Sequence, residues 1–171
     1  MTEETTATGQ AIDEQEAFDG FYHREHVRLF RYLVLLTASP EEAEDLGHEA
    51  FVRVLERWDR VGRMEDPRGY LYRTAMNLHK NVLRRTSRRI RRSVVERGIE
   101  PDFSAAAVDR TAVIRAIRAL PRPQLEAVLL TDLIGFTSEE AAGVLGIRAD
   151  AVRGRVRRAR EAMRGELADD G

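Results

Sequence analysis

The most chemically loaded feature of this chain is a row of guanidinium groups at helical spacing. Arg153, Arg157, Arg160 and Arg164 recur on one side of a single helical stretch, with Arg155 and Arg158 beside them. A guanidinium is a planar fork of donors that matches phosphate oxygens and the guanine edge, so the chemistry implied is nucleic-acid binding. The row belongs to a longer pattern from Leu133 to Arg164. Thr137 and Glu140 have capping-box spacing, and Ala141, Val144 and Leu145 then give a short helix one apolar face. Gly146 ends it as a residue tolerant of positive φ, and Ile147 plugs the corner. A second helix starts near Asp150, with Val152, Val156, Ala159 and Met163 on its inner side. This is the pattern of a helix-turn-helix, and it makes Arg148, Asp150, Arg153, Arg155, Arg157, Arg158 and Arg160 candidate duplex readers. An ordinary helical hairpin with a solvated basic face carries charge runs too. Two features favour DNA: opposite signs on the two helices, Glu139 and Glu140 against the arginines, and the short glycine turn.

Other chemistry is thinly represented. His23 and His26, and Asp45 and His48, have the i, i+3 spacing that sets two metal ligands on one helix face. His26 falls in an apolar stripe, however, and no glutamate-x-x-histidine pair recurs on another helix, so no metal is expected. With no cysteine, thiolate sites, thiol catalysis and disulfides are excluded. No nucleophile–base constellation and no phosphate-binding glycine loop is visible, so the chain is expected to act by binding, without cofactor or catalysis.

Charge is segregated along the 171 residues, although the formal net charge is only −1. Acidic residues dominate from Glu3 to Glu49, arginine dominates from Arg84 to Arg97, and Asp169 and Asp170 return to acid. Such a split suits one cationic or polar partner and one polyanionic partner. Lys80 is the sole lysine, an arginine skew that a GC-rich genome would also produce. No apolar run reaches membrane-spanning length and no signal-peptide core is present, so a cytoplasmic protein with no membrane insertion is expected.

The elements that must position these groups are all helical. Residues 1–14 are polar and threonine-rich and read as a disordered tail. A helix follows from Glu16 to Thr37, with Phe18, Phe21, Tyr22, His26, Leu29, Phe30 and Leu33 on its apolar face. Ser39-Pro40-Glu41-Glu42 caps the next, which runs to about Trp58. Ala43, Leu46, Ala50, Phe51, Val54 and Leu55 point inward there, leaving Glu44, Asp45, His48, Glu49 and Arg53 outside. After a loop from Arg60 to Glu65, Asp66-Pro67 starts a third helix with Leu71, Ala75, Leu78 and Val82 as its inner stripe. Arg68, Tyr70, Tyr72, Arg73, Asn77, Lys80, Asn81 and Arg84 are its other residues of note. Gly98 and Pro101 break the arginine-rich stretch that follows. About a dozen extended residues there span roughly 40 Å, at ~3.5 Å each. No strand pattern appears. The fold class is therefore all-α: two small helical domains, 15–92 and 109–166, joined by a flexible linker at 93–108 and followed by an acidic tail at 167–171.

With both modules in view, the chain resembles a sigma factor of bacterial RNA polymerase, of the short extracytoplasmic-function type. The matching residues are Ala43-Glu44-Asp45-Leu46 through Phe51, Tyr70-Leu71-Tyr72-Arg73-Thr74-Ala75-Met76-Asn77, Leu120-Pro121, Glu139-Glu140-Ala141-Ala142, Leu145-Gly146-Ile147, and Ala151-Val152-Arg153 through Arg158-Ala159-Arg160. The likeness covers Phe18 to Arg92 and Asp109 to Arg164, and implies region two in the first module and region four in the second. It implies that Glu44, Asp45, His48, Glu49 and Arg53 meet the β′ clamp helices of core polymerase. It implies that Arg60, Arg63, Arg68, Tyr70, Arg73, Asn77, Lys80, Asn81, Arg84 and Arg85 hold the opened non-template strand of the minus-ten element, with Trp58 and Tyr72 as further stacking residues. The helix-turn-helix would then read the minus-thirty-five duplex, and the helices before it would rest on the β flap. The family commonly answers to an anti-sigma protein. Three positions depart from its pattern: Gly47-His48 in place of an apolar residue and glutamine, Ala151 in place of threonine, and Gly154 in place of serine. A stand-alone helix-turn-helix repressor or activator would explain the second module equally well. It would not explain the arginine, asparagine and tyrosine pattern of the third helix.

Overall fold

The computed structural model describes the backbone of residues 3–93 and 112–169, and side chains within 14–87 and 114–165. All the regular structure in these residues is helical. The linker expected at 93–108 lies outside them apart from its first residue, as do the side chains of the arginines at 88, 89, 91 and 92 in the arginine-rich stretch before it.

The first module holds α1 (Glu3–Thr37), α2 (Pro40–Leu55), α3 (Trp58–Val61) and α4 (Pro67–Ser93). Helix α1 starts at Glu3, which corrects the expectation of a disordered tail. Gly9 is the one helix breaker between Glu3 and the predicted start, so a helix nucleated downstream propagates back through it. Ser39 caps α2 by accepting from the Glu42 N–H at 3.2 Å. Asp66 caps α4 by accepting from the Gly69 N–H at 2.8 Å, and a Cβ on Gly69 would stand 2.0 Å from that carboxylate, so the cap requires glycine there. Between α1 and α2, Ala38 holds φ 59°, in the left-handed region that alanine disfavours.

The second module holds α5 (Ala112–Arg118), α6 (Arg122–Val128), a π-helical turn (Leu129–Leu133), α7 (Ser138–Leu145) and α8 (Ala149–Asp169). The π turn continues α6 without a break, although the run from Leu125 to Leu133 reads in the sequence as one α-helix. Leu129 and Leu130 are buried within the turn and continue the buried run from Leu125 to Val128 at the end of α6. Helix α8 absorbs the first three residues of the predicted acidic tail.

The two modules do not sit apart. Their buried apolar side chains form one continuous cluster, from Phe18 and Leu33 through Leu71 and Tyr72 to Phe136, Leu145 and Val156. Helix α7 packs on α4, and the π turn meets α1. At the centre of this seam Tyr72 is fully buried, with its ring edge-on to Tyr32 at 5.5 Å and to Phe136 at 5.2 Å. At one end Arg68 lies 4.3 Å over the Phe136 ring, donates to the Ile134 carbonyl and sits 3.6 Å from Glu25. At the other end the ring of His79 meets the Arg122 guanidinium through Nε2 and stands 3.3 Å from Glu42 through Nδ1.

Two predictions follow from strained or buried groups. Ala38→Gly should raise stability by about 1 kcal/mol in a denaturant titration, because glycine adopts that φ without penalty. Burial, then the positive charge of Arg122, hold the His79 imidazole down to about 4, while an exposed histidine titrates near 6.5. The unfolded chain therefore takes a proton that the folded one refuses between those values. The His79 contribution is full above about pH 6.5 and is lost as pH falls toward 4. From pH 7 to pH 5 the wild-type chain should lose on the order of 2 kcal/mol more unfolding free energy than His79→Gln.

Candidate nucleic-acid interfaces

The helix-turn-helix is built by local chemistry. Thr137 and Glu140 close a reciprocal capping box, with bonds of 2.7 and 3.1 Å. Gly146 turns the chain at φ 70° and ψ 37°, and its N–H donates to the Ala142 carbonyl at 2.9 Å. Val152, Val156 and Ala159 then bury the inner side of α8. Of the seven predicted duplex readers, Arg148, Asp150, Arg153, Arg157, Arg158 and Arg160 are exposed and Arg155 is half-buried. Several already have acidic partners. Arg160 grips Asp132 with Nε at 3.0 Å and Nη2 at 2.7 Å. Arg153 donates to Glu139 at 2.9 Å and to Asp150. Arg148 lies 3.7 Å from Asp150, and Arg157 lies 3.9 Å from Glu161. Arg155 and Arg158 have no acidic partner among the described residues. The hydrogen bonds from Asp150 and Glu139 raise the Arg153 pKa, and that from Asp132 raises the Arg160 pKa, so both stay charged. The Cβ that Gly154 lacks would lie 3.5 Å from Arg158, which is ordinary contact, so the glycine is not sterically required.

On the first module the predicted strand-binding residues fall into three groups. Arg68 is held in the seam, where it donates to the Ile134 carbonyl and lies over the Phe136 ring. Tyr70, Arg73 and Asn77 flank α7. Tyr70 and Arg73 share a cleft of about 600 Å³ with Glu139 and Glu140, and Arg73 and Asn77 share one of about 390 Å³ with Gly143 and Gly146. Asn81 and Arg85 border a third cleft, of about 620 Å³, beside Asp45 and Glu49 of α2. Arg84 is exposed and donates to Asn81, Lys80 is half-buried, and Arg60 and Arg63 are exposed, with Arg63 3.0 Å from Glu14. Of the further stacking residues, Tyr72 is core and Trp58 is half-buried against it. Tyr72 is wholly enclosed, and the Trp58 ring lies 5.3 Å from Phe18 and 5.1 Å from Phe21.

The outer face of α2 presents Glu44, Asp45, His48 and Glu49 to solvent, with Arg53 bonded to Glu49 at 2.9 Å. Beside it runs a groove of about 320 Å³ lined by Tyr22, His26, Phe30, Glu44 and His48. Tyr22 and Phe30 are 40% and 41% exposed there, although helical spacing assigns both to the core. Leu55 and Val82 depart from their predicted inward stripes in the same way. The His23 and His26 rings are 6.2 Å apart, and among the described residues no three potential ligands converge on a metal position. Sequence reasoning missed Glu25, His79, Arg122, Asp132 and Phe136, all of which act across element or module boundaries. No helix among the described residues is long and apolar enough to cross a membrane.

Residues 21–89 match the family described as sigma-70 region 2, and residues 110–163 match sigma-70 region 4. The chain is 30% identical over 180 residues to the ECF RNA polymerase sigma factor SigE of Mycolicibacterium smegmatis, a match spanning 95% of this chain and 67% of that protein. It is 29% identical over 158 residues to the ECF RNA polymerase sigma factor SigC of Mycobacterium tuberculosis, spanning 90% of this chain and 85% of that one. Among solved structures it resembles the sigma factor RpoE bound to the anti-sigma factor NepR from Bartonella quintana, with a TM-score of 0.75 at 22% identity over 90% of this chain and 98% of that one. It also resembles CnrH in complex with the cytosolic domain of CnrY, with a TM-score of 0.64 at 23% identity over 92% and 91%.

The seam yields one prediction of its own. Phe136 carries the Tyr72 edge contact and the Arg68 guanidinium together. Phe136→Ala should therefore cost roughly 3 kcal/mol of unfolding free energy, read from the denaturant midpoint.

Proposed function

The chain belongs to the sigma-70 family, in its extracytoplasmic-function group, and from that premise we propose that it brings core RNA polymerase to two promoter elements and traps the opened strand at the first. The observation that carries the reading is the joint presence, in one chain, of a matched region-two module with its polar α4 and a matched region-four helix-turn-helix with its arginine-lined α8. The acidic outer face of α2, at Glu44, Asp45 and Glu49, suits a basic pair of polymerase clamp helices. The second module's leading helices would rest on the β flap. Arg60, Arg63, Arg73, Asn77, Lys80, Arg84 and Arg85 would track the melted minus-ten strand, and α8 would enter the major groove at the minus-thirty-five element. Work of this kind is done by binding, without covalent chemistry, in the cytoplasm where polymerase is. One solved structure of similar fold is a sigma factor bound to the anti-sigma factor NepR, and control of this chain by a partner of that kind belongs to the same reading.

The seam sets the order of events. Arg68 is occupied, and Arg73 and Asn77 face α7, so the modules part before α4 takes a strand. The stand-alone repressor reading predicts tight duplex binding by the chain alone. The sigma reading predicts initiation only with core polymerase. The deciding experiment is transcription by core polymerase, with and without the chain, on a pool of genomic promoter fragments. New initiation at a subset sharing two spaced motifs supports the proposal. No added initiation, together with tight binding of the chain alone to duplex, overturns it. The double variant Arg73→Ala/Asn77→Ala should lower initiation roughly tenfold or more while leaving polymerase binding intact.

A further inference from the structure

The Asp132–Arg160 pair is unlike the other ion pairs of α8. Arg153, Arg157 and Arg148 are held through single atoms of each carboxylate, at least in part by residues of their own helix or its leading turn. Arg160 instead meets both oxygens of a carboxylate on another element, through Nε and Nη2. Asp132 is itself restrained. Its Oδ1 lies 2.9 Å from the Thr131 hydroxyl, whose single proton is shared between that carboxylate and the Ala127 carbonyl at 3.1 Å. The π turn fixes the arrangement, since its winding buries Leu129 and Leu130 while turning Asp132 toward α8. The hydrogen bond from Arg160 also pulls the Asp132 carboxyl below its ordinary value, so the pair is ionised throughout the neutral range.

The pair borders a trough of about 550 Å³ between α8 and the start of α7, lined by Arg153, Arg157, Arg160 and Arg164 with Asp132 and Thr137 opposite. A guanidinium held through Nε and Nη2 still presents its Nη1 edge. We propose that Asp132 is a positioning residue: it grips Arg160 by one edge and aims the other at a backbone phosphate of the upstream promoter duplex. This rests on the assignment of α8 to that duplex. A long, flexible side chain is thereby set in its binding geometry before DNA arrives, which lowers the ordering cost of the contact. The opposite role, a carboxylate that merely competes with DNA for Arg160, makes the reverse prediction for the same substitution.

The test uses the chain bound to core polymerase on a promoter recovered from the transcription selection, with release followed at increasing salt. Arg160→Ala should weaken the complex and lower the salt slope by about one phosphate contact. Asp132→Asn should weaken it by roughly three- to tenfold with the slope nearly unchanged, because the arginine keeps its charge and loses its aim. On the Arg160→Ala background Asp132→Asn should bring no further weakening, and Asp132→Asn alone should leave the unfolding free energy of the free chain nearly unchanged, which loss of a purely structural pair would not. Tighter binding by Asp132→Asn to promoter and non-promoter DNA alike overturns the proposal in favour of competition. An undiminished loss on the Arg160→Ala background overturns it in favour of a folding role. If Arg157→Ala and Arg160→Ala both leave the upstream element's contribution unchanged, the assignment of α8 falls and this inference with it. If they act and Asp132→Asn does not, the positioning role alone falls.

Discussion

Tyr72 is the side chain on which the two modules agree. Its ring stands edge-on to Tyr32 from its own module and to Phe136 from the other, and nothing of it reaches solvent. Around it the seam is apolar enough to extend one core through both modules. Its polar margin has a different character. Glu25 and His79 are buried there against Arg68, Arg122 and Glu42, which keep part of their surface in water, and such half-solvated pairs recover little net stability. They fix how the modules meet, while the aromatic and aliphatic contacts hold them. An interface of this make-up is stable at rest and can be parted by partners that solvate its margin.

The same arrangement governs what each module can offer. The seam takes one strand-binding candidate out of play and sets two others against α7, yet it leaves α8 and the acidic face of α2 open. On the proposed reading, duplex recognition and polymerase docking are therefore available in the closed form, and strand capture is not. The arginines of α8 show a second restraint. Several are paired with Asp132, Glu139, Asp150 or Glu161, so the local positive field is weaker than the count of guanidinium groups suggests. In a chain of net charge −1, such pairing keeps non-specific attraction to DNA low.

What could be read from the residues was whatever depends on neighbours along the chain. The Ser39 cap, the Thr137–Glu140 box, the left-handed Gly146 and the inner stripe of α8 are all set by contacts within a few positions. Tyr22 and Phe30 show where periodicity stops. It identifies an apolar face, but how far the next helix covers that face is decided by packing between helices. Tyr72 is the converse case, since a polar-tipped ring beside reading residues looks available until a second module is laid over it. The π turn was invisible for a related reason. It begins inside one buried apolar run, and neither periodicity nor local propensity marks where the winding changes. Asp132 and Phe136 owe their roles to the same long-range placement.

The most direct measurement of the central claim, that one chain closes its strand-binding face with its own second module and opens on polymerase and promoter, is a distance across the seam. The absence of native cysteine allows spin labels at introduced cysteines replacing Glu56 and Glu161, both exposed and on different modules. The account predicts one short, narrow distance distribution in the free chain and a clearly longer one in the polymerase–promoter complex. An unchanged short distance in a complex that initiates transcription, or a broad distribution in the free chain, would contradict it.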